Sequence, residues 1–202
     1  MNSTFTAFFD ANVFFGARLR SLMMEVAQSG LFRSRWSADI HDEWIRSVLA
    51  KRPGLRREQI EPIRELMDQA VPDALVTGYH GLIPALALPD PDDRHVLAAA
   101  IVGRADVIVT FNEKDFPADV LAPYGIHTRH PDVFFVEAES IDQGTLVEAA
   151  SRDLAHYKNP PLTPKQYTDD LRKAGVPGLA DYLWRMQVLL SDRESRQADE
   201  RS

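Results

Sequence analysis

Two short apolar runs restrict the architectures open to this chain more than any other feature. Phe5-Thr6-Ala7-Phe8-Phe9 is apolar and aromatic, bounded by polar residues, and reads as a short buried strand. Val107-Ile108-Val109 has no polar alternation, the pattern of a parallel strand covered on both faces. Helical periods fill the space between them. Residues 12–28 carry Val13, Leu19, Leu22, Met23 and Val26 as one apolar stripe. Ser37 is a good N-cap for a helix to about Lys51, with Ile40, Trp44 and Val48 recurring every four residues. A further helix over 56–70 buries Ile60, Ile63, Leu66 and Met67. Leu31-Phe32 followed by Arg35-Trp36, and Ala74-Leu75-Val76, supply more strands. Strands alternating with helices predict an α/β layered fold with right-handed crossovers.

The remaining segments are less regular. Ile83 to Leu88 reads as an irregular extended stretch ending at Pro89. Asp90-Pro91-Asp92-Asp93 is an acidic turn that opens an Ala-rich helix ending near Gly103. Phe134-Phe135-Val136 fits a last strand or a helix start. Beyond residue 138 the pattern becomes helical, with candidates at Leu146 to Tyr157, from Pro164, and from Val176-Pro177 along Leu179, Leu183, Met186 and Leu190. The expected division is a domain over 1–137 and a helical C-terminal extension over 138–202, with a frayed polar tail from 192.

A chain of 202 residues buries one core with room for an appendage. It contains 0 Cys, which removes thiolate metal sites and fits a reducing cytoplasm. No apolar run approaches the roughly 20 residues of a membrane span. Met1-Asn2-Ser3-Thr4 lacks the basic start of a secretory signal. The net charge of -7 argues against a protein that coats nucleic acid nonspecifically. The charge is uneven, however. Residues 1–57 carry nine Lys/Arg against five Asp/Glu, and 58–202 carry fourteen against 25. The basic front half could meet a phosphate-bearing substrate, or be no more than solvated helix faces.

Four acidic residues sit where the chain leaves a strand or enters a helix: Asp10, Glu43, Asp93 and Asp115. Carboxylates from separate elements of an open α/β sheet can converge at the strands' carboxyl ends. Such a cluster is costly without a cation, so the placement predicts a divalent-metal site. Oxygen ligands dominate here, favouring Mg2+ or Mn2+ over zinc. Asn12, Thr110 and Asn112 add neutral oxygens, and Asp92 competes with Asp93 for the third position. Divalent ions held by carboxylates can activate water, neutralise a phosphodiester and stabilise its leaving oxygen. His41, His95, His127 and His130 show no zinc spacing and read as surface or polar-edge residues; Trp36 and Trp44 read as core.

Four segments, in order, carry a resemblance: Phe8-Phe9-Asp10-Ala11-Asn12, Asp39-Ile40-His41-Asp42-Glu43-Trp44, Asp90 through Ala100, and Ala105 through Phe116. Together they are similar to a PIN domain, nearest to the VapC-type toxins of bacterial toxin–antitoxin pairs, over about residues 5–137. The resemblance implies a PIN-like three-layer α/β fold and a metal-dependent endoribonuclease. It matches Asp10, Glu43 and Asp93 to the first three acidic positions and Asp115 to the fourth. Asp93 is preferred to Asp92 because it lies three residues before Val96. Thr110-Phe111-Asn112 departs from the pattern, since many relatives place an acidic residue third. The partners implied are an RNA substrate, a cognate antitoxin and a second copy of the chain. Two other readings compete. A catalytically silent PIN-like module would bind RNA or protein without cutting. A haloacid-dehalogenase-type phosphohydrolase would need an Asp two residues after Asp10, where this chain has Asn12.

Overall fold

The computed structural model describes residues 5–139 and 142–191, so Met1–Thr4 and the polar tail from 192 lie outside the described residues. In chain order the elements are β1 (Thr6–Phe9), α1 (Ala11–Phe15), α2 (Ala17–Gln28), β2 (Arg33–Ser37), α3 (Ala38–Lys51), α4 (Arg57–Ala70), β3 (Leu75–Val76), α5 (Arg94–Val102), β4 (Val107–Val109), α6 (Ala118–Leu121) and β5 (His127–Arg129). They are followed by α7 (Pro131–Glu139), α8 (Gln143–Ala155), α9 (Pro164–Lys173), α10 (Pro177–Arg185) and α11 (Gln187–Ser191). The chain forms two compact units. The first holds Phe32–Pro131 with the segment up to Ala17; the second holds Arg18–Leu31 with the segment from Asp132 onward.

The first unit is built on a five-stranded sheet of order β3-β2-β1-β4-β5 in which every pairing is parallel. Phe8 and Phe9 in β1 and Ile108 and Val109 in β4 are all 0% exposed, as the unalternated runs predict. The chain steps outward from β1 to β3, then returns past β1 to β4 and β5. With right-handed crossovers, that reversal puts the helices of the two legs on opposite faces. It also makes the crevice between β1 and β4 the switch point, where open α/β sheets leave room for a ligand.

Ser37 caps α3 as predicted, its hydroxyl accepting from the Ile40 amide at 3.3 Å. The helix is pinned by a buried polar chain. Trp44 Nε1 donates to His41 Nδ1 at 3.0 Å, while Asp68 Oδ1 meets His41 Nε2 at 2.9 Å and Trp36 Nε1 at 2.8 Å. With Nδ1 accepting, the proton of neutral His41 sits on Nε2. Burial lowers the His41 pKa despite the carboxylate beside it. Trp36 and Trp44 are core, as expected, but His41 is not a surface residue: it is 0% exposed.

The second unit is helical. Its centre includes Asp153, whose oxygens accept from the hydroxyls of Ser21 and Tyr167, the latter at 2.7 Å. Asp132 accepts from the amides of Gly178 and Leu179 at 2.9 and 2.8 Å, covering the open N-terminus of α10. A Cβ at position 178 would lie 3.0 Å from Asp132 Oδ2, so any other residue there would push that carboxylate back by a few tenths of an ångström.

Several boundaries differ from the sequence expectation. The helix expected over 12–28 breaks at Gly16, which is extended with ψ 116°, and its two parts serve different units. The second strand begins two residues later than expected, at Arg33. Residues His80–Ala85 form a 3-10 turn, which takes up the first half of the stretch expected to be extended from Ile83 to Leu88. Phe134-Phe135-Val136 lies inside α7, and the last strand is His127–Arg129. That strand is a polar three-residue edge with little apolar signal. The last predicted helix ends at Arg185, and Leu190 belongs to α11. Among the described residues no helix is long and apolar enough to cross a membrane.

Candidate active site

Register places the first pair. Phe9 sits opposite Val109 in the β1–β4 ladder, and the Asp10 amide donates to the Val109 carbonyl at 3.0 Å. Asp10 and Thr110 therefore leave the two central strands side by side, at the switch point. Asp10 is 5% exposed and caps α1, its Oδ1 accepting from the Ala11 amide at 2.6 Å. Its Oδ2 accepts from Thr110 Oγ1 at 2.7 Å and from Asn12 Nδ2 at 2.5 Å. Thr110 Oγ1 in turn accepts from Asn12 Nδ2 at 2.9 Å and from the Asn112 amide at 3.0 Å. Asn12 Oδ1 accepts from the Phe111 amide at 3.1 Å, tying the loop after β4 to the start of α1. Asn112 is exposed and joins this network through its amide.

The other carboxylates face this pair. Burial raises the Asp10 pKa from 3.8 to about 6, with the Glu43 charge adding to the rise and the Thr110 hydrogen bond opposing it. Asp93 is pushed further, to about 7, by burial and then by the charges of Asp10, Asp90, Asp115 and Glu43. A carboxyl with four negative neighbours and no cation behaves this way. Asp93 heads α5 without spending its carboxylate on that helix. Asp90 caps the preceding 3-10 turn over Pro91–Asp93, accepting from the Asp92 amide at 2.9 Å. Asp92 itself is exposed, whereas Asp93 is half-buried. Asp115 ends a 3-10 turn, and the N-cap of the next helix is Pro117.

One neighbour of the cluster was not singled out in the sequence. His95, read as a surface or polar-edge residue, is half-buried and its Nε2 lies 3.4 Å from Glu43 Oε2. Burial depresses the His95 imidazolium, but the hydrogen bond and charge of Glu43, with Asp39 and Asp10 behind them, outweigh it and raise its pKa. Its position two residues after Asp93, on the opening turn of α5, was the available signal. The basic front half is also less open than its composition suggests. Arg57 pairs with Asp42 and Glu61, Arg18 with Asp170, and Lys51 Nζ lies 4.4 Å from the Phe15 ring centre. Arg46, Arg52 and Arg56 remain exposed.

The donor set suits a hard divalent cation: oxygen atoms from carboxylates, a hydroxyl and an amide, with excess negative charge. Among the described residues, though, no three His, Asp or Glu side chains close on a common point as a ready-made cage. The carboxylates are near enough to shift one another but are held apart.

The profile of the PIN domain matches residues 6–114, which contain this site apart from Asp115. The chain belongs to the PIN domain family. A second profile, the VapC50 C-terminal domain, matches residues 131–185 in the helical unit. The curated Mycobacterium tuberculosis protein described as "Putative ribonuclease VapC50" is 42% identical over 111 residues, covering 50% of this chain and 62% of that relative. The chain thus matches less than two thirds of that relative's length. Both matches agree with the VapC-type resemblance seen in the sequence. No solved structure matches the chain.

Proposed function

We propose that this PIN-domain protein is an endoribonuclease that hydrolyses RNA phosphodiester bonds with Mg2+ or Mn2+. In this reading it is the toxin of a toxin–antitoxin pair and acts in the cytoplasm. The observation that carries the reading is the mutual charge pressure on Asp93 from Asp10, Glu43 and Asp115. Asp10, Glu43, Asp93 and Asp115 would hold the metal, with Asn12, Thr110 and Asn112 supporting them and Asp92 outside the ligand set. The metal would supply water activation and neutralise charge on the phosphate. The chain's own part is to hold Asp10 through Thr110 and Asn12, and to set Glu43 against His95. Nuclease work is assigned to residues 1–137 and a helical extension to 138–202. A cognate antitoxin would quench the carboxylates by inserting an Arg or Lys, and the toxin would work as a homodimer.

The test is RNA cleavage by purified protein with Mg2+ or Mn2+, against chelator and against Asp10→Asn and Asp93→Asn. Cleavage that needs the metal and both carboxylates supports the reading. Metal-dependent RNA binding with no cleavage under any condition would favour the silent binding module.

Thr110→Val probes the support of Asp10. Val keeps the shape but removes one donor to Asp10 and one acceptor for Asn12 and the Asn112 amide. Loss of an outer partner to a metal-binding carboxylate weakens metal affinity or activity about 10–100-fold. Mn2+ titration followed by cleavage rates should show that loss, and Thr110→Ser should restore most of it.

A further inference from the structure

We propose that the His80 imidazole is a stacking platform for a base of single-stranded RNA, anchored on Asp39 one helical turn before Glu43 of the carboxylate cluster. The proposal rests on the ribonuclease reading and names how that site grips its substrate. Trp36 and Trp44, the aromatic residues a sequence would first suggest, are both 0% exposed and cannot meet a base.

The His80 side chain is 66% exposed, yet it is held firmly. Its ring stacks on Tyr79 with centroids 4.3 Å apart and planes 23° from parallel. Its Nε2 lies 3.1 Å from Asp39 Oδ2, and the same oxygen accepts from the Tyr79 hydroxyl at 2.7 Å. Tyr79 is 1% exposed and so is fixed by the core. The result is an aromatic ring oriented from below and from the side while most of its surface stays open. An exposed ring held this way loses little side-chain entropy when something stacks on it.

Its location follows from α3. Asp39, which holds His80, is four residues before Glu43, so the two residues share one helix face about 6 Å apart along the axis. The Asp39 charge also acts on His95, the partner of Glu43. The platform is therefore anchored, through Asp39, to the face of α3 that carries Glu43 one turn further on. RNA loops and single strands are recognised by bases splayed onto Phe, Tyr, Trp or His rings. Stacking of this kind tolerates many sequences, since every base offers a π-face.

The test uses full-length protein carrying Asp10→Asn, with Mg2+, and single-stranded RNA with a fluorescent purine analogue placed at successive positions. Stacking quenches the analogue at one position, and adding His80→Ala relieves the quenching and weakens RNA affinity about tenfold. His80→Phe retains both. In the cleaving protein, His80→Ala raises KM about tenfold and leaves kcat within about twofold, with an unchanged melting temperature. Unchanged quenching and affinity in the His80→Ala protein overturn the platform, even if the parent cleaves RNA well. His80-dependent quenching in a protein that never cleaves supports the platform and overturns the ribonuclease reading instead.

Discussion

Asp10→Asn protein should cleave RNA at least a hundredfold more slowly than its parent at saturating Mg2+ or Mn2+. The bound is set by partners one shell further out, whose loss alone costs 10–100-fold. Asp10 is the hub of the site, since it receives Ala11, Asn12 and Thr110 at once and presses electrostatically on Asp93. The amide is close to isosteric, so the fold should survive. Its oxygen can still accept from the Ala11 amide, but its NH2 group faces a Thr110 hydroxyl that already accepts from Asn12 and the Asn112 amide, so that hydrogen bond is lost or shared. A donor–donor meeting with Asn12 offsets part of what is gained by removing a buried charge. The metal-free stability at pH 7.5 should therefore stay within about 1–2 kcal/mol of the parent, read from urea unfolding. Parent-level cleavage by the variant would remove Asp10 from the mechanism. Inactivity with a collapsed fold would show instead that the residue is structural.

Metal should stabilise the protein strongly at neutral pH and little at pH 5. Folded-state pKa values near 6 for Asp10 and near 7 for Asp93 lie above the unfolded value of about 3.9. Between those limits the folded protein keeps protons that the unfolded chain has released. The metal-free stability from these two groups is therefore greatest below about pH 4 and is lost as pH rises through 6 and 7. For buried Asp10 the loss is about 2–3 kcal/mol, and half-buried Asp93 adds less after solvent screening. His41 works in the opposite sense: its lowered pKa favours folding above about 6.5, and that contribution fades as pH falls. The two effects overlap, so the total pH curve is not the readout. The difference in melting temperature with and without Mg2+ or Mn2+ isolates the carboxylates. It should grow steadily from pH 5 to pH 7.5 in the parent and stay nearly flat in Asp10→Asn. A metal-induced shift equal at both pH values would contradict the charge cluster.

The parts of the fold legible in the sequence were those where burial writes a strong pattern. Phe8-Phe9 and Val107-Ile108-Val109 announce central parallel strands because both faces of each are covered. Ser37 announces α3 because an N-cap is a local property. β5 was missed because an edge strand can be polar and three residues long. The break at Gly16 was missed because the apolar stripe continues across it, although its two halves serve different cores. At the site, the positions of Asp10 and Thr110 follow from strand ends, which the sequence shows. The contacts of His95 and His80 do not, because each is made with a partner 41 or more residues away in the chain: Asp39 for His80 and Glu43, 52 residues from His95. His41 was misplaced for the same reason, since Asp68 and two tryptophans make its burial tolerable.

The order of the sheet also sets a timetable for synthesis. The central strand comes first in the chain, but one of its neighbours, β4, is encoded about a hundred residues later. Asp10 leaves the ribosome early and has no Thr110 hydroxyl or Val109 carbonyl to meet until that second segment follows. At about 5–20 residues per second, the interval is several seconds or longer. Chains truncated before β4 carry Asp10, Glu43 and Asp93 but lack the strand that brings the first of them to the others. If the chain is the ribonuclease proposed above, cleavage cannot begin until β4 has been made and Asp10 has met Thr110.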